Sequence, residues 1–274
     1  MNSEKIEDIV LRYSKRGMTI LREYMTEDYC AESAKDILSW EKGTVFLTTG
    51  FYVAGFAETD GPVGTVMLAK ALKTLGYHPV IVTDHFCKGF FEPEGIDVVY
   101  MDLKADETYC QTLIDNYQPV GMISIERCGK NTGGDYANMR GVSIADNTAP
   151  ADLLFELARE SIPTIGVGDG GNEIGMGNVA DIITEKLSLV PCKVCVDRLV
   201  IATVSNWGAY AITAYLQKFT GVKVFPDFQW VHDYISMTVD LGSVDGVLKE
   251  HIIGVDGFDM QIEKEIVDAL TASL

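Results

Sequence analysis

The segment GVGDGGNEIGMGNV (residues 166–179) places two carboxylates and an amide among six glycines. Glycine allows a tight backbone path, so Asp169, Asn172 and Glu173 can converge on one point. Converging carboxylates repel each other and resist ionisation unless a cation lies between them. Carboxylate and amide oxygens are the ligands that hard ions such as Mg²⁺ and Mn²⁺ prefer. The segment therefore predicts a divalent metal site.

Three other loops carry candidate polar side chains, each directly after an apolar run. They are Glu58 and Asp60 after residues 44–50, Glu126, Arg127 and Arg140 after residues 120–125, and Asn206 after residues 198–204. Asp60 could instead cap the helix that starts at Pro62. Surface loops without a function rarely repeat the same chemistry after four strands. We therefore expect one shared site, in which Glu58, Asp60 and Glu126 complete one or two ion sites.

Gly166, Gly168 and Gly171 also fit the pattern GxGxxG of dinucleotide-binding loops. Asp169 and Glu173 would place negative charge where the pyrophosphate must approach. Gly175 and Gly177 interrupt the following residues, so the sequence offers no clear helix whose N-terminus could bind a phosphate. A dinucleotide site is thus the weaker interpretation.

The remaining motifs give little sign of other chemistry. Cys192 and Cys195 form a CxxC, but no second cysteine pair or histidine pair completes a zinc site. His85, after the second apolar run, is the histidine closest to the predicted site. The sequence contains neither a GxSxG nor a GxxxxGK[ST] motif, so covalent nucleophilic catalysis is not the leading hypothesis.

The elements that must position these residues alternate between strands and helices. Short, continuously apolar runs predict strands at 44–50, 78–84, 96–101, 120–125, 163–168 and 198–204. Helical patterns at 62–76, 149–160 and 208–219 lie between and after them. Such strands are typical of a parallel sheet covered on both faces. The sequence predicts a doubly wound, Rossmann-like α/β fold, whose ligands bind at the carboxyl ends of the strands.

The two ends of the chain are less regular. Residues 4–40 show helical spacing with a break near Gly17, which predicts two helices. We expect residues 1–42 to form a helical preamble packed on a single α/β domain of residues 43–274. Near the C-terminus we predict a strand at 235–239 and a helix at 259–272.

Composition excludes some partners. The formal net charge is −18 over 274 residues, and nucleic acids and anionic membrane surfaces would repel such a chain. The N-terminal residues mix acidic and basic groups without a long apolar core, so we expect neither a signal nor a transit peptide. Six scattered cysteines fit a reducing, cytoplasmic location. The oligomeric state stays open, with a homo-oligomer among the options.

Four stretches together resemble the D-glutamate cyclase family. They are AETDGPVG (57–64), IERCGKNTGGDYANMRG (125–141), GVGDGGNEIGMGNV (166–179) and VSNWGAYAI (204–212). The resemblance covers roughly residues 40–270, and the glycine-rich string is its most specific part. Val63 and Cys128 depart from the pattern, since the family resemblance leads us to expect proline at each position.

The resemblance implies a hydro-lyase that cyclises D-glutamate to 5-oxo-D-proline with the help of Mn²⁺ or Mg²⁺. On this hypothesis Asp60, Asp169 and Asn172 bind the metal, with Glu58 as a further candidate ligand. Glu173 or Glu126 acts first as the base and then as the acid. Arg127 or Arg140 holds the α-carboxylate, and Asn206 orients the substrate.

Two alternative functions stay open at this stage. A phosphohydrolase dependent on Mg²⁺ or Mn²⁺ would use the same acidic ligands. A non-catalytic protein that binds an amino acid or a metal ion would also need such a site.

Overall fold

The computed structural model describes residues 4–274, which contain one six-stranded sheet and two short hairpins. Strands are numbered in chain order. The sheet comprises β1 (Thr44–Thr48), β4 (His78–Thr83), β5 (Asp97–Tyr100), β6 (Gly121–Ile125), β7 (Thr164–Gly168) and β8 (Arg198–Ile201). The hairpins are β2 (Tyr52–Val53) with β3 (Phe56–Ala57), and β9 (Gly254–Val255) with β10 (Phe258–Asp259). All six predicted apolar runs are confirmed as strands of the central sheet.

The sheet is parallel throughout, in the order β5-β4-β1-β6-β7-β8. Val45 of β1 pairs with Pro79 on one side and with Gly121 on the other. The chain moves outward from β1 to β5 and then returns to place β6 on the opposite side of β1. The strand order therefore reverses between β1 and β6, and in such sheets ligands bind at this point, beyond the carboxyl ends of the strands.

Helices surround the sheet, again numbered in chain order. They are α1 (Ile6–Ile9), α2 (Met18–Leu21), α3 (Tyr29–Ser39), α4 (Pro62–Thr74), α5 (Glu107–Tyr117), α6 (Asp152–Ala158), α7 (Ala180–Ile182), α8 (Ser205–Thr220), α9 (Phe228–Asp240) and α10 (Met260–Ala272). Helices α3, α4 and α8 form one contacting layer, whereas α5 and α6 contact each other. Right-handed crossovers on either side of the reversal place these two layers on opposite faces. The predicted doubly wound α/β fold is confirmed.

The N-terminal segment contains three short helices instead of the predicted two. The predicted break at Gly17 is present, because Gly17 adopts a left-handed conformation (φ 88°) immediately before α2. Val10 and Leu21 are fully buried and belong to the same hydrophobic cluster as Val45 of β1. The segment and the sheet thus share one core.

The strand predicted at 235–239 is wrong, because these residues lie within α9. The β-branched residues of this stretch suggested a strand. Asp227 caps the helix by accepting the Trp230 N–H (3.0 Å). Val231, Tyr234, Ile235 and Thr238 are buried at helical spacing, so packing of one helical face overrides the local preference.

The helix predicted at 259–272 is confirmed as α10. Among residues 4–274, none of the helices combines the length and the apolar character needed to cross a membrane.

Candidate functional site

A cavity of about 570 Å³ opens at the carboxyl ends of β1, β6 and β7. Its lining includes most of the residues predicted for the site. The predicted residues present are Glu58, Glu126, Arg140, Asp169, Asn172 and Glu173. The cavity therefore lies where the reversal of strand order places a ligand site.

Three buried carboxyl groups meet beside this cavity. Asp60, Glu126 and Asp169 each contribute one oxygen, and these oxygens all lie within 4.8 Å of one another. They follow β1, β6 and β7 respectively, so the parallel sheet brings together residues far apart in the chain. Such a set of oxygen donors matches the preference of a hard divalent cation.

Asp60 is held in place by the start of α8. Its carboxylate accepts the backbone N–H groups of Ser205 (2.9 Å), Asn206 (2.8 Å) and Gly61 (2.8 Å). Asp60 therefore does cap a helix, but the helix is α8 and not the one that follows it in sequence. Each carboxylate oxygen can accept more than one interaction, so this capping is compatible with metal binding.

Asn206 does not have the substrate-orienting position predicted for it. Its Oδ1 accepts the N–H groups of Gly61 (3.0 Å) and Gly64 (2.8 Å), and its Nδ2 donates to the Thr59 carbonyl (3.2 Å). The side chain is fully buried and is absent from the cavity lining. Asn206 thus caps α4 and fixes the loop that carries Asp60.

Glu126 lies directly after β6 in a left-handed backbone conformation (φ 48°). This conformation is uncommon for a residue with a side chain. The Ser205 hydroxyl donates a hydrogen bond of 2.5 Å to Glu126 Oε2. The turn and this bond together direct the carboxyl group into the cavity.

The glycine-rich segment folds back on itself around Glu173. The N–H groups of Gly170 and Gly171 donate to the Glu173 carboxylate at 2.9 and 2.7 Å. A Cβ atom at Gly170 would lie 2.7 Å from Glu173 Oε1, and Gly171 has a φ of 106°, so both positions favour glycine. A short 3₁₀ turn, Met176–Val179, follows. This turn continues directly into α7 and then into a π-helical turn, Ile183–Leu187.

Asn172 presents an unused acceptor at the cavity. Its Nδ2 donates to the Ala137 carbonyl (2.9 Å), which fixes the orientation of the amide. Its Oδ1 is buried without a hydrogen-bond partner, and the residue is only 7% exposed. Buried acceptors are seldom left unpaired, so this oxygen fits a ligand for a bound cation.

Two charged residues of the site were not predicted. Arg16, in the loop before α2, donates from Nη1 to both carboxylate oxygens of Asp169, at 2.9 and 2.8 Å. The same nitrogen lies 2.8 Å from Asp256 Oδ2. Asp256 belongs to the turn between β9 and β10. Neither residue stands in a recognisable motif, and 153 positions separate Arg16 from Asp169, so local sequence gave no signal for this contact.

Arg127 lies outside the cavity and does not have the position expected of a substrate-binding residue. It is fully buried, and its Nη1 lies 2.7 Å from Asp84 Oδ2. Its guanidinium also donates to the carbonyls of Gly50 (2.6 Å) and Ala149 (2.7 Å). Arg127 therefore ties together the loops that follow β1, β4 and β6.

Arg140 remains in the position expected of a substrate-binding residue. Its side chain is exposed and lines the cavity together with Lys249. The lining also contains apolar side chains, among them Phe51, Val53 and Ile144. Its acidic members are called the acidic floor here and are Glu58, Glu126, Asp169 and Glu173.

Burial raises the pKa of each carboxyl group in the floor. For Glu58 and Glu126, and for Asp60 beside the cavity, the pKa lies well above its ordinary value, first because of desolvation and then because neighbouring carboxyl groups repel. The pKa of Asp169 is likewise raised by desolvation, and Arg16 opposes that shift. Burial also raises the pKa of Glu173, whereas its backbone N–H donors oppose that shift. A cation among these groups would favour their ionised forms.

The other candidates from the sequence lie apart from this site. Cys192 is buried and Cys195 is partly exposed, and within residues 4–274 neither belongs to a cluster of metal-ligating side chains. His85 is exposed and does not line the cavity.

Comparison with known proteins identifies a family. The family described as "D-glutamate cyclase-like, C-terminal" matches residues 6–271. The human mitochondrial D-glutamate cyclase is 31% identical over 256 residues, which cover 78% of this chain and 41% of the human protein. The chain thus spans less than half the length of that relative.

Solved structures give weaker likenesses. A UDP-glucose 4-epimerase from Brucella ovis, solved with NAD, has a TM-score of 0.32 and 16% identity, and the match covers 58% of this chain and 50% of that one. An exopolyphosphatase-related protein from Bacteroides fragilis has a TM-score of 0.39 and 10% identity, with 90% and 57% covered. Similarity at these scores supports no conclusion about function.

Proposed function

The chain belongs to the D-glutamate cyclase-like family, and from this premise we propose that it cyclises D-glutamate to 5-oxo-D-proline with release of water. The observation that carries the proposal is the convergence of Asp60, Glu126 and Asp169 within 4.8 Å. The substrate is proposed from family membership, and the carboxyl cluster is the proposed location of the reaction.

We propose Asp60, Asp169 and Asn172 as ligands of Mn²⁺ or Mg²⁺. Glu58, which lines the same cavity, is the candidate for a fourth ligand. The oxygen donors and the unpaired Asn172 Oδ1 support this assignment. When bound, the ion acts as a Lewis acid toward the γ-carboxylate of the substrate.

Glu126 is the preferred candidate for proton transfer, with Glu173 as the alternative. Burial raises the pKa of Glu126, and a carboxyl group with a raised pKa is a better proton acceptor than an ordinary one. Glu173 is held by two backbone N–H donors, which favour its ionised form. The arrangement therefore supports Glu126 as the base and then the acid.

Ring closure forms a bond between the α-nitrogen and the γ-carbon of the substrate and breaks one γ-carbon–oxygen bond. Of the three protons on the α-ammonium group, one stays on the new amide. The other two leave with the γ-oxygen as water, and Glu126 carries them between nitrogen and oxygen.

Arg140 binds the α-carboxylate in this proposal, and Lys249 of the same cavity lining adds a second positive charge. Paired N–H donors of a guanidinium match the two oxygens of a carboxylate. Both residues are exposed, whereas the carboxyl groups of the acidic floor are buried, so the α-carboxylate would face outward while the γ-carboxylate reaches the acidic floor.

Incubation of the purified protein with D- or L-glutamate tests the proposal, with Mn²⁺ or with EDTA. Chiral chromatography should detect 5-oxo-D-proline from D-glutamate with Mn²⁺ and none after chelation. A panel of phosphoesters assayed in parallel tests the alternative hydrolase. Phosphate release without 5-oxoproline would contradict the proposal, as would thermal stabilisation by glutamate without any product.

A further inference from the structure

Among residues 4–274, Arg16 is the basic residue that forms salt bridges with Asp169 of the acidic floor and with the neighbouring Asp256. Its Nη1 contacts both oxygens of Asp169, whose side chain is fully buried, and one oxygen of Asp256. The Arg16 side chain itself remains 25% exposed. One end of the guanidinium is therefore held in the floor while the rest of the side chain reaches the cavity surface.

Arg16 and a divalent ion would compete for the same atoms. Asp169 is a member of the three-carboxyl cluster, so an ion bound there would lie within a few ångströms of the Arg16 guanidinium. Two cations a few ångströms apart also repel each other strongly at a buried site. The contacts of Arg16 with Asp169 therefore oppose the binding of an ion to the same carboxylate.

A second observation indicates that Arg16 does not satisfy every polar group of the site. Asn172 lines the same cavity, and its Oδ1 is buried without a hydrogen-bond partner. Arg16 donates to Asp169 and leaves this acceptor unused. A cation located between Asn172 and the carboxyl cluster would satisfy both.

The position of Arg16 in the chain allows its side chain to move. Residues 14–17 form an irregular connection between α1 and α2. Gly17 ends this connection in a left-handed conformation that then starts α2. Arg16 therefore lines the cavity from outside both helices.

We propose that Arg16 is an exchangeable counter-ion, which neutralises the acidic floor in the metal-free protein and leaves Asp169 when Mn²⁺ or Mg²⁺ binds. The released guanidinium then lies in the cavity, where it adds positive charge on the side that receives the anionic substrate. This inference rests on the metal site of the proposed function. It predicts that the metal binds before the substrate.

Mn²⁺ affinity, measured by isothermal titration calorimetry without substrate, tests the exchange. Arg16→Gln should bind Mn²⁺ about tenfold more tightly than the wild type or better, because the competing cation is gone. Lys15→Gln is the matched control, since it removes the same charge one residue away. Lys15 lies over the Phe258 ring and is not part of the cavity lining, so its variant should bind Mn²⁺ nearly as the wild type does.

Chemical modification of the wild-type protein gives a test that needs no variant to fold. Phenylglyoxal reacts with accessible guanidinium groups, and peptide mass spectrometry locates the modified residues. Addition of Mn²⁺ should raise the modification rate of Arg16 severalfold. Arg198, which is held on the surface by Glu32 and Asp36, should react at the same rate with and without the ion.

These measurements separate failure of the exchange from failure of the proposed function. Equal or weaker Mn²⁺ binding by Arg16→Gln, or an Arg16 modification rate that does not rise with Mn²⁺, would overturn the exchange and leave the cyclase assay unaffected. Absence of Mn²⁺ binding in both the wild type and Arg16→Gln would remove the metal site and, with it, both proposals.

Discussion

Asp60 and Asn206 cap each other's helices. The Asp60 carboxylate accepts the N–H groups of Ser205 and Asn206 at the start of α8, and Asn206 Oδ1 accepts those of Gly61 and Gly64 at the start of α4. The N-termini of the two helices are thereby fixed to one another. Because Asp60 also belongs to the carboxyl cluster, this pair links the packing of the fold to the position of a proposed ligand.

Replacement of Asn206 by alanine should therefore destabilise the whole domain. Asn206→Ala leaves two buried N–H groups without an acceptor, and we expect a loss of about 2–4 kcal/mol in the free energy of unfolding. Urea denaturation followed by circular dichroism measures the change. Asn116→Ala, at an exposed position of α5, is the control and should be neutral or slightly stabilising. An unchanged midpoint for Asn206→Ala would contradict the capping role.

Arg127 should matter for folding and not for substrate affinity. Arg127→Met leaves Asp84 as an uncompensated buried charge, which we expect to cost about 3–5 kcal/mol. The double variant Arg127→Met/Asp84→Asn should recover part of this loss, because the unpaired charge is gone. Equilibrium unfolding of the three proteins measures both effects. A stable Arg127→Met protein with a raised KM would instead restore the substrate-binding role predicted from the sequence.

Asp169→Asn should abolish most activity while preserving the fold. Asparagine is isosteric and can still accept a hydrogen bond from Arg16, but it removes one negative ligand from the carboxyl cluster. We expect turnover of D-glutamate to fall by at least about 100-fold, the range that loss of one electrostatic contact to a transition state costs. The 5-oxoproline assay measures the effect, and the exposed Asp181→Asn is the charge-matched control. Wild-type turnover in Asp169→Asn would exclude the proposed ligand set.

Arg140→Ala should weaken substrate binding. Loss of charge-assisted hydrogen bonds to the α-carboxylate, worth about 1.5–3 kcal/mol, predicts a KM for D-glutamate that is about 10- to 100-fold higher. Stability should hardly change, because the Arg140 side chain is exposed. Steady-state kinetics tests this, with the exposed Arg159→Ala outside the cavity as the control. A reduced kcat with an unchanged KM would contradict the proposed role of Arg140 in substrate binding.

The buried acid Glu58 should make the metal-free protein less stable as the pH rises. Its pKa is raised well above the ordinary value of 4.5 by burial and then by neighbouring carboxyl groups. Protonated Glu58 thus stabilises the fold fully below the unfolded-state pKa, and this contribution is lost as the pH rises through the folded-state pKa. The charged groups that act on Glu58 are Asp256, Asp60, Arg16 and Glu173.

Glu58→Gln should therefore raise the melting temperature at pH 8 in the presence of EDTA, by about 2–4 °C for each kcal/mol of relief. Near pH 4 the variant and the wild type should melt together, because glutamine resembles the protonated acid. Differential scanning calorimetry at both pH values measures the difference. Glu160→Gln, on the exposed surface, should show neither effect. A stabilisation of Glu58→Gln, relative to the wild type, that grows toward low pH would contradict this prediction.

The sequence predicted the central sheet well because its strands are short and apolar throughout. Their common direction was enough to place Asp60, Glu126 and Asp169 at one edge, since parallel strands end on the same side. In α9, by contrast, the β-branched residues near 235–239 favoured a strand, and only burial of one helical face decided the outcome.

The direction in which a side chain points could not be predicted from the local sequence. Arg127 and Asn206 have residue types suited to substrate binding and follow the expected strands, yet both turn inward and bond to neighbouring loops. Arg16 reaches the cavity from a segment that we expected to serve only as packing. Such contacts depend on the tertiary path of the chain and leave no local pattern.

The shared core of the N-terminal segment determines how the protein can be shortened. A fragment that begins at residue 43 would retain all six sheet strands and every proposed metal ligand. It would nevertheless lose Arg16 and uncover the apolar surfaces that Val10, Met18 and Leu21 now bury. Residues 4–42 thus belong to the smallest unit worth expressing, and a boundary drawn from the start of the sheet would separate Arg16 from the rest of the candidate site.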